Sequence, residues 1–280
     1  MRLRPLEIGV CSWSLQVKSI PELEGLLEGM GVRATQLALG DPNHATWDEG
    51  DGFLDAARAA SFDITATMVG FPGEDYTSPA TIKRTGGFGD PARREEYHEI
   101  FRWAVDLTVE LGVDILTTHA GFIPDSGDPG RESFLDCLGA AVDYAGKKGI
   151  TVAMETGQET AELLRRSIDE MAVANLKVNF DPANMILYNK GDPIEALEIL
   201  RSDLVHIHVK DANYPDREGA WGEEVPLGAG AVGMKRYLER LVELEYTGPL
   251  VIEREVGSQA DRIRDITEGV TLLRGLVRDL

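Results

Sequence analysis

A single (β/α)8 TIM barrel of the α/β class is the fold that this 280-residue sequence predicts. Three features point there. Eight short apolar runs alternate with eight segments of helical periodicity. The runs read as mainly apolar stretches rather than as strict alternation, as strands of a parallel sheet covered on both faces do. No shift in composition divides the chain, so residues 1–280 read as one barrel domain, in line with the ~250 residues typical of such barrels. A doubly wound sheet is the competing fold; it normally has fewer strands and leaves the last two units unexplained.

The elements follow in order. Residues 8–11 form the first strand, and a helix over about 20–30 stops at Gly31. Residues 35–39 are the second strand, 53–60 a helix and 64–69 the third strand. Residues 70–90 are rich in Gly, Pro, Thr and Ser and are expected as a long irregular loop. Ile100, Phe101, Ala104, Val105 and Leu111 mark the next helix, which Gly112 ends. Residues 114–118 form strand four. Phe134, Leu135, Leu138, Val142 and Ala145 stripe a helix ended by Gly149. Residues 150–154 form strand five, and Leu163, Leu164, Ile168 and Met171 line its helix. Strand six covers 177–180, before a helix over 194–200. Strand seven covers 205–209, and Tyr237, Leu238, Leu241 and Leu244 mark the helix after it. Strand eight is 249–252, and the last helix spans 263–277.

Composition narrows the function. Hydrophobic residues make up 43% and charged residues 27%, which is ordinary globular usage and argues against disorder. The formal net charge of −20 repels phosphate backbones and anionic membranes, so neither nucleic acid nor a membrane is an expected partner. Cys11 and Cys137 form no Cys-x-x-Cys motif and suggest no disulfide framework. No run approaches 18 uncharged apolar residues and residues 1–7 make a poor signal peptide, so a cytoplasmic protein is expected.

Barrel enzymes place their chemistry at the carboxyl ends of the strands. There strand five ends on Glu155, strand six on Asp181 and strand eight on Glu253, while strand seven carries His206-Ile207-His208. In a closed barrel these positions converge. Three carboxylates and an imidazole, mostly oxygen donors, suit one divalent ion: Mn²⁺, Co²⁺ or Mg²⁺, with Zn²⁺ also compatible. An acidic residue after a strand also serves as a helix cap, and Asp181-Pro182 alone would read that way. Four such residues on consecutive strand ends favour metal.

The segments Met154-Glu155-Thr156-Gly157, Asn179-Phe180-Asp181-Pro182-Ala183-Asn184, His206-Ile207-His208-Val209-Lys210-Asp211, Pro226-Leu227-Gly228-Ala229-Gly230 and Val251-Ile252-Glu253-Arg254 resemble the sugar phosphate isomerase/epimerase family. These are xylose isomerase-like TIM barrels that include the ketose 3-epimerases and, more distantly, the apurinic endonucleases. The resemblance covers nearly the whole chain, most strongly from Gly112 onward. It implies Glu155, Asp181, His208 and Glu253 as metal ligands, with Mn²⁺ the foremost candidate. It also implies that Glu155 and Glu253 move protons on opposite faces of a carbohydrate substrate, through an enediolate that the ion stabilises. Two departures stand out. Asn184 replaces the histidine often found three residues after the strand-six aspartate, and Ala229 replaces a frequent charged residue. Asn can hydrogen-bond a hydroxyl but is a poor proton carrier.

Further candidates surround this set. His119 and Trp13 follow strands four and one, where substrate contact and ordinary packing are the alternatives. His206 points to the same side as His208 and serves substrate, ligand support or packing. Lys210 binds a substrate oxygen or forms a salt bridge, with Asp211 among its candidate partners. Arg254 is an expected substrate contact. In the 70–90 loop, expected to close over the pocket mouth, Lys83 and Arg84 would meet an anionic substrate or stay solvated; His44 and His98 are expected solvated. Residues 228–233 match G-x-G-x-x-G with Glu253 following, but no good strand precedes them, so no NAD is expected. A phosphate or sugar hydroxyl at that loop stays open. Other readings are a metal-dependent apurinic endonuclease-like hydrolase, elimination on an oxidised sugar, and a non-catalytic sugar-binding barrel. A homo-oligomer is compatible with exposed barrel helices.

Overall fold

The computed structural model describes residues 6–43 and 46–280. His44 therefore lies outside the described residues. In chain order the elements are β1 (Ile8–Cys11), α1 (Ile20–Gly29), β2 (Ala34–Ala38), α2 (Phe53–Ala59), β3 (Asp63–Val69), α3 (Pro79–Thr85), α4 (Arg94–Leu111), β4 (Ile115–Thr118), α5 (Arg131–Lys147) and β5 (Thr151–Glu155). Then come α6 (Ala161–Met171), β6 (Leu176–Phe180), α7 (Pro182–Leu187), α8 (Pro193–Leu200), β7 (Leu204–Val209), β8 (Asp211–Asn213), β9 (Glu223–Val225), α9 (Met234–Glu243), β10 (Leu250–Ile252) and α10 (Gln259–Arg278).

Eight strands close a parallel barrel in the order β1-β10-β7-β6-β5-β4-β3-β2. Closure rests on β1 pairing with β10, Ile8 opposite Leu250 and Val10 opposite Ile252. The helices bury one face each against the barrel: Leu23 and Leu27 from α1, Phe101 and Ala104 from α4, Phe134 and Leu138 from α5 are all buried. That layer supplies most of the apolar burial, and the barrel interior is left to a polar column.

Four expectations are corrected. The 70–90 loop is not irregular throughout: Ser78 and Thr81 form a capping box and Pro79 takes the first helical turn, which nucleates α3. Lys83 and Arg84 lie exposed on that helix. Between strand six and the helix at 193–200, Asp181-Pro182 starts the further short helix α7. Residues 223–225 do form a strand, β9, but it pairs antiparallel with β8 outside the barrel. His98 is not solvated; it is half-buried, its ring 5.1 Å from Phe88 and its Nε2 3.2 Å from Cys137 Sγ. Cys11 and Cys137 are both free and buried. Among the described residues no helix is long and apolar enough to cross a membrane.

Candidate metal centre

Neighbouring strands bring the four strand-end residues together. Glu155 closes β5, Asp181 follows β6, His208 lies in β7 and Glu253 follows β10. One donor atom from each falls within 4.8 Å of the others. His208 Nδ1 lies 3.4 Å from Glu155 Oε1, 3.4 Å from Asp181 Oδ2 and 3.6 Å from Glu253 Oε2. All four side chains are buried.

Asp181 caps α7 with one oxygen and leaves the other free to meet an ion. Its Oδ1 accepts from the backbone N–H of Ala183 and Asn184 at the start of α7. Its Oδ2 has no hydrogen-bond partner, and neither has His208 Nδ1. Two orphaned, buried acceptor atoms side by side are costly unless something cationic sits between them. The donor set and these orphans fit a divalent ion.

A chain of hydrogen bonds settles the tautomer of His208. Thr117 Oγ1 donates to the Thr67 carbonyl and so accepts from Gln36 Nε2, at 2.6 Å. That turns Gln36 Oε1 toward His208 Nε2 at 2.6 Å, closer than Asn179 Nδ2 at 3.1 Å, and the shorter contact is made by Nε2–H donating to Gln36. The Nδ1 lone pair is thereby directed at the three carboxylates. Against the opposing effect of burial, the same carboxylates hold this ring well above its usual range, so a proton on Nδ1 and a metal ion compete for the same place. The Cys11 thiol, pushed up to about 12 by burial, is neutral, so Glu155 and Glu253 carry that effect.

The two glutamates are held differently. Glu155 Oε1 accepts from Asn184 Nδ2 at 2.8 Å, and His119 Nε2 lies 3.4 Å from its Oε2. Burial would raise this carboxyl, but His119 and His208 outweigh it and hold it well below the usual range. His119 in turn resists its own burial because Glu155 lifts it to about 9. Glu253 accepts from Trp13 Nε1 at 2.7 Å and from Lys210 Nζ at 2.8 Å. Burial and then the nearby Glu255 push it up to about 8.

A cleft of about 480 Å³ opens onto the centre, lined by Trp13, Tyr76, His119, Asn184, Tyr188 and Trp221 among others. Of the remaining sequence candidates, Lys210 is buried and bonded to Glu253, to Glu255 Oε2 at 2.6 Å and to Asn184, not to Asp211. His206 lies beneath the ligands, its Nδ1 2.9 Å from Asn179 Oδ1 and its Nε2 3.0 Å from Thr65 Oγ1, away from the cleft. Arg254 also turns away: its guanidinium bonds Glu224 and Asp265, so the structure gives it a bracing role where a substrate contact was expected. Lys83 and Arg84 do not line the cleft.

The glycine-rich loop is occupied by its own chain. Asp211 accepts from the backbone N–H of Gly228, Gly230 and Val232. A Cβ at Gly230 would lie 2.3 Å from Asp211 Oδ1, so only glycine admits that carboxylate. Residues that escaped the sequence reading are Gln36, Tyr188, Trp221, Glu224 and Glu255. Gln36 sits in the middle of β2, where a polar residue inside an otherwise buried strand was the available signal. Glu224 lies on the short strand β9 outside the barrel, and Tyr188, Trp221 and Glu255 follow element ends or lie in loops, for which periodicity carries no signal.

Comparison with known proteins agrees with this fold. The model of the xylose isomerase-like TIM barrel family matches residues 26–276. A solved xylose isomerase domain protein from Planctomyces limnophilus is 31% identical, with 99% of this chain and 98% of that one covered and a TM-score of 0.85. An uncharacterized protein of Methanocaldococcus jannaschii is 26% identical over 63% of this chain and 60% of its own. The L-ribulose-5-phosphate 3-epimerase UlaE of Salmonella paratyphi A is 27% identical over 60% of this chain and 59% of its own. The chain thus matches about three-fifths of the length of these curated relatives. It belongs to the xylose isomerase-like TIM barrel family.

Proposed function

We propose that this member of the xylose isomerase-like TIM barrel family is a divalent-metal-dependent sugar isomerase or epimerase. The observation that carries the reading is the pairing of two orphaned buried acceptors, Asp181 Oδ2 and His208 Nδ1, with two glutamates within 4.8 Å. Glu155, Asp181, His208 and Glu253 would hold the ion, with Mn²⁺ or Co²⁺ suiting the mixed oxygen and nitrogen donors. When bound, it would polarise a substrate carbonyl and offset the charge of an enediolate.

The protein's own groups divide the remaining work. Glu155 and Glu253 stand on strands at either side of those carrying Asp181 and His208, so they approach the shared centre from two sides. One carboxylate takes the proton next to the carbonyl and the other returns one, which inverts a carbon or moves the proton to its neighbour. Asn184 and His119 orient Glu155; Trp13 and Lys210 orient Glu253. The L-ribulose-5-phosphate 3-epimerase among the relatives supports this reaction class. The test is solvent deuterium uptake into a panel of ketoses with protein stripped of metal and then reloaded with Mn²⁺. Metal-dependent uptake at the carbon next to the carbonyl is expected. Its absence across the panel from fully loaded protein would overturn the reading.

A further inference from the structure

We infer that the cleft takes an uncharged sugar and discriminates against its phosphate ester; the inference rests on the reading of this site as a sugar site and names its substrate class. Phosphate recognition needs a free cation, a cluster of free backbone N–H groups, or both. Among the described residues no lysine or arginine lines the cleft, and the one imidazole that does, His119, is turned to the Glu155 carboxylate at 3.4 Å. The nearest ammonium, Lys210, has three donors and gives them to Glu253, Glu255 and Asn184. Arg254 is spent on Glu224 and Asp265.

The second route is closed independently. In the glycine-rich loop after β9, the amides of Gly228, Gly230 and Val232 already face the Asp211 carboxylate. An internal anion thus sits where an external one would bind. The centre itself offers no spare positive charge, since its three carboxylates exceed the charge of a divalent ion. Glu224 and Glu255 on the cleft wall take up Arg254 and Lys210, so those cations are neutralised before any external anion could reach them. A phosphate dianion there would meet like charge at low dielectric.

What the wall does offer suits the C–H faces and hydroxyls of a neutral sugar. Tyr188 and Trp221 meet edge to face with ring centroids 4.7 Å apart, Tyr76 and Trp13 add two more rings, and the indole N–H of Trp221 has no partner. Aromatic faces stack on sugar C–H surfaces while carboxylates accept from hydroxyls.

The experiment uses the 280-residue chain loaded with a divalent ion and two matched pairs: ribulose and fructose, each against its terminal phosphate ester. Ligand binding is read by saturation-transfer NMR with the diamagnetic Mg²⁺ form, and proton exchange in deuterium oxide with the Mn²⁺ form. Binding of at least one free ketose about tenfold tighter than its ester is expected. Equal or tighter binding of both esters, or no binding of either free ketose, overturns the inference. If a free ketose binds preferentially but neither member of a pair exchanges its proton, the substrate class stands and the proton-transfer reading falls. Trp221→Ala should weaken free-ketose binding about tenfold while Trp221→Phe restores it; unchanged binding in Trp221→Ala would overturn the sugar contact with the aromatic wall on which the inference rests.

Discussion

Gln36 on β2 and His208 on β7 meet across the barrel interior, Oε1 to Nε2 at 2.6 Å, and this contact decides which nitrogen of the ring faces the carboxylates. Replacing Gln36 with leucine removes the acceptor and frees the ring to rotate or change tautomer. Loss of a group that orients a metal-binding histidine typically costs about 10–100-fold in affinity. We expect that weakening for Mn²⁺, measured by competition with a chelator, and altered imidazole nitrogen shifts for His208. Unchanged affinity and shifts would show that β7 alone orients the ring.

Asp181→Asn separates capping from metal binding. Asparagine keeps the oxygen that accepts from Ala183 and Asn184, so α7 should stay capped and metal-free stability should change by under ~1 kcal/mol. The partnerless Oδ2 carboxylate oxygen is lost. Saturating metal should stabilise the parent by ~2.7 kcal/mol at a hundredfold excess over the dissociation constant, and the variant by much less at the same concentration. Thermal unfolding with and without Mn²⁺ measures both. An equal shift in parent and variant would exclude Asp181 as a ligand.

Glu155→Gln and Glu253→Gln test the two-base mechanism. The amide keeps an oxygen that coordinates weakly but cannot carry the proton. Each variant should lose turnover by ~10²–10⁴-fold. Each should still exchange the proton of one epimer, and the two variants should favour opposite epimers. Metal content must be matched first, because a lost ion imitates a lost base. Near-parental turnover in both metal-loaded variants would eliminate the mechanism.

Glu159, in the loop after β5, gives a pH signature independent of metal binding. Burial pushes its carboxyl up from the ordinary 4.5 to about 8. Between those values the folded protein holds this proton and the unfolded chain has lost it, so this group makes stability fall as pH rises. The slope reaches at most ~1.4 kcal/mol per pH unit. Glu159→Gln should flatten that decline and gain on the parent toward pH 8 in denaturant titrations. Parallel stability curves for parent and variant would show that Glu159 is ionised in the folded state.

Strand-end arithmetic on the sequence was enough to assemble the candidate site's four principal residues. Glu155, Asp181 and Glu253 end apolar runs, and a parallel barrel points every such end to one rim. The role of the glycine-rich segment was not legible: a strand, β9, does lead into it, and the Asp211 carboxylate that its amides hold is brought there only by the fold. Helix α3 was legible in principle from Ser78-Pro79 and was obscured by the turn-rich composition around it.

What the sequence determined by itself is the barrel and the identity of the residues at its rim, because both follow from local periodicity and strand polarity. Tertiary structure alone decided how those residues are used. Lys210 turned to Glu253 and Glu255 rather than to the adjacent Asp211, whose carboxylate was claimed by the amides of Gly228, Gly230 and Val232. Arg254 left the cleft for Glu224 and Asp265. Gly157 let the loop after β5 press against Asn184, where a Cβ would come within 2.4 Å of that residue's own. These choices are settled by which buried charge can reach which partner through space, and neighbours in the sequence carry no record of that distance.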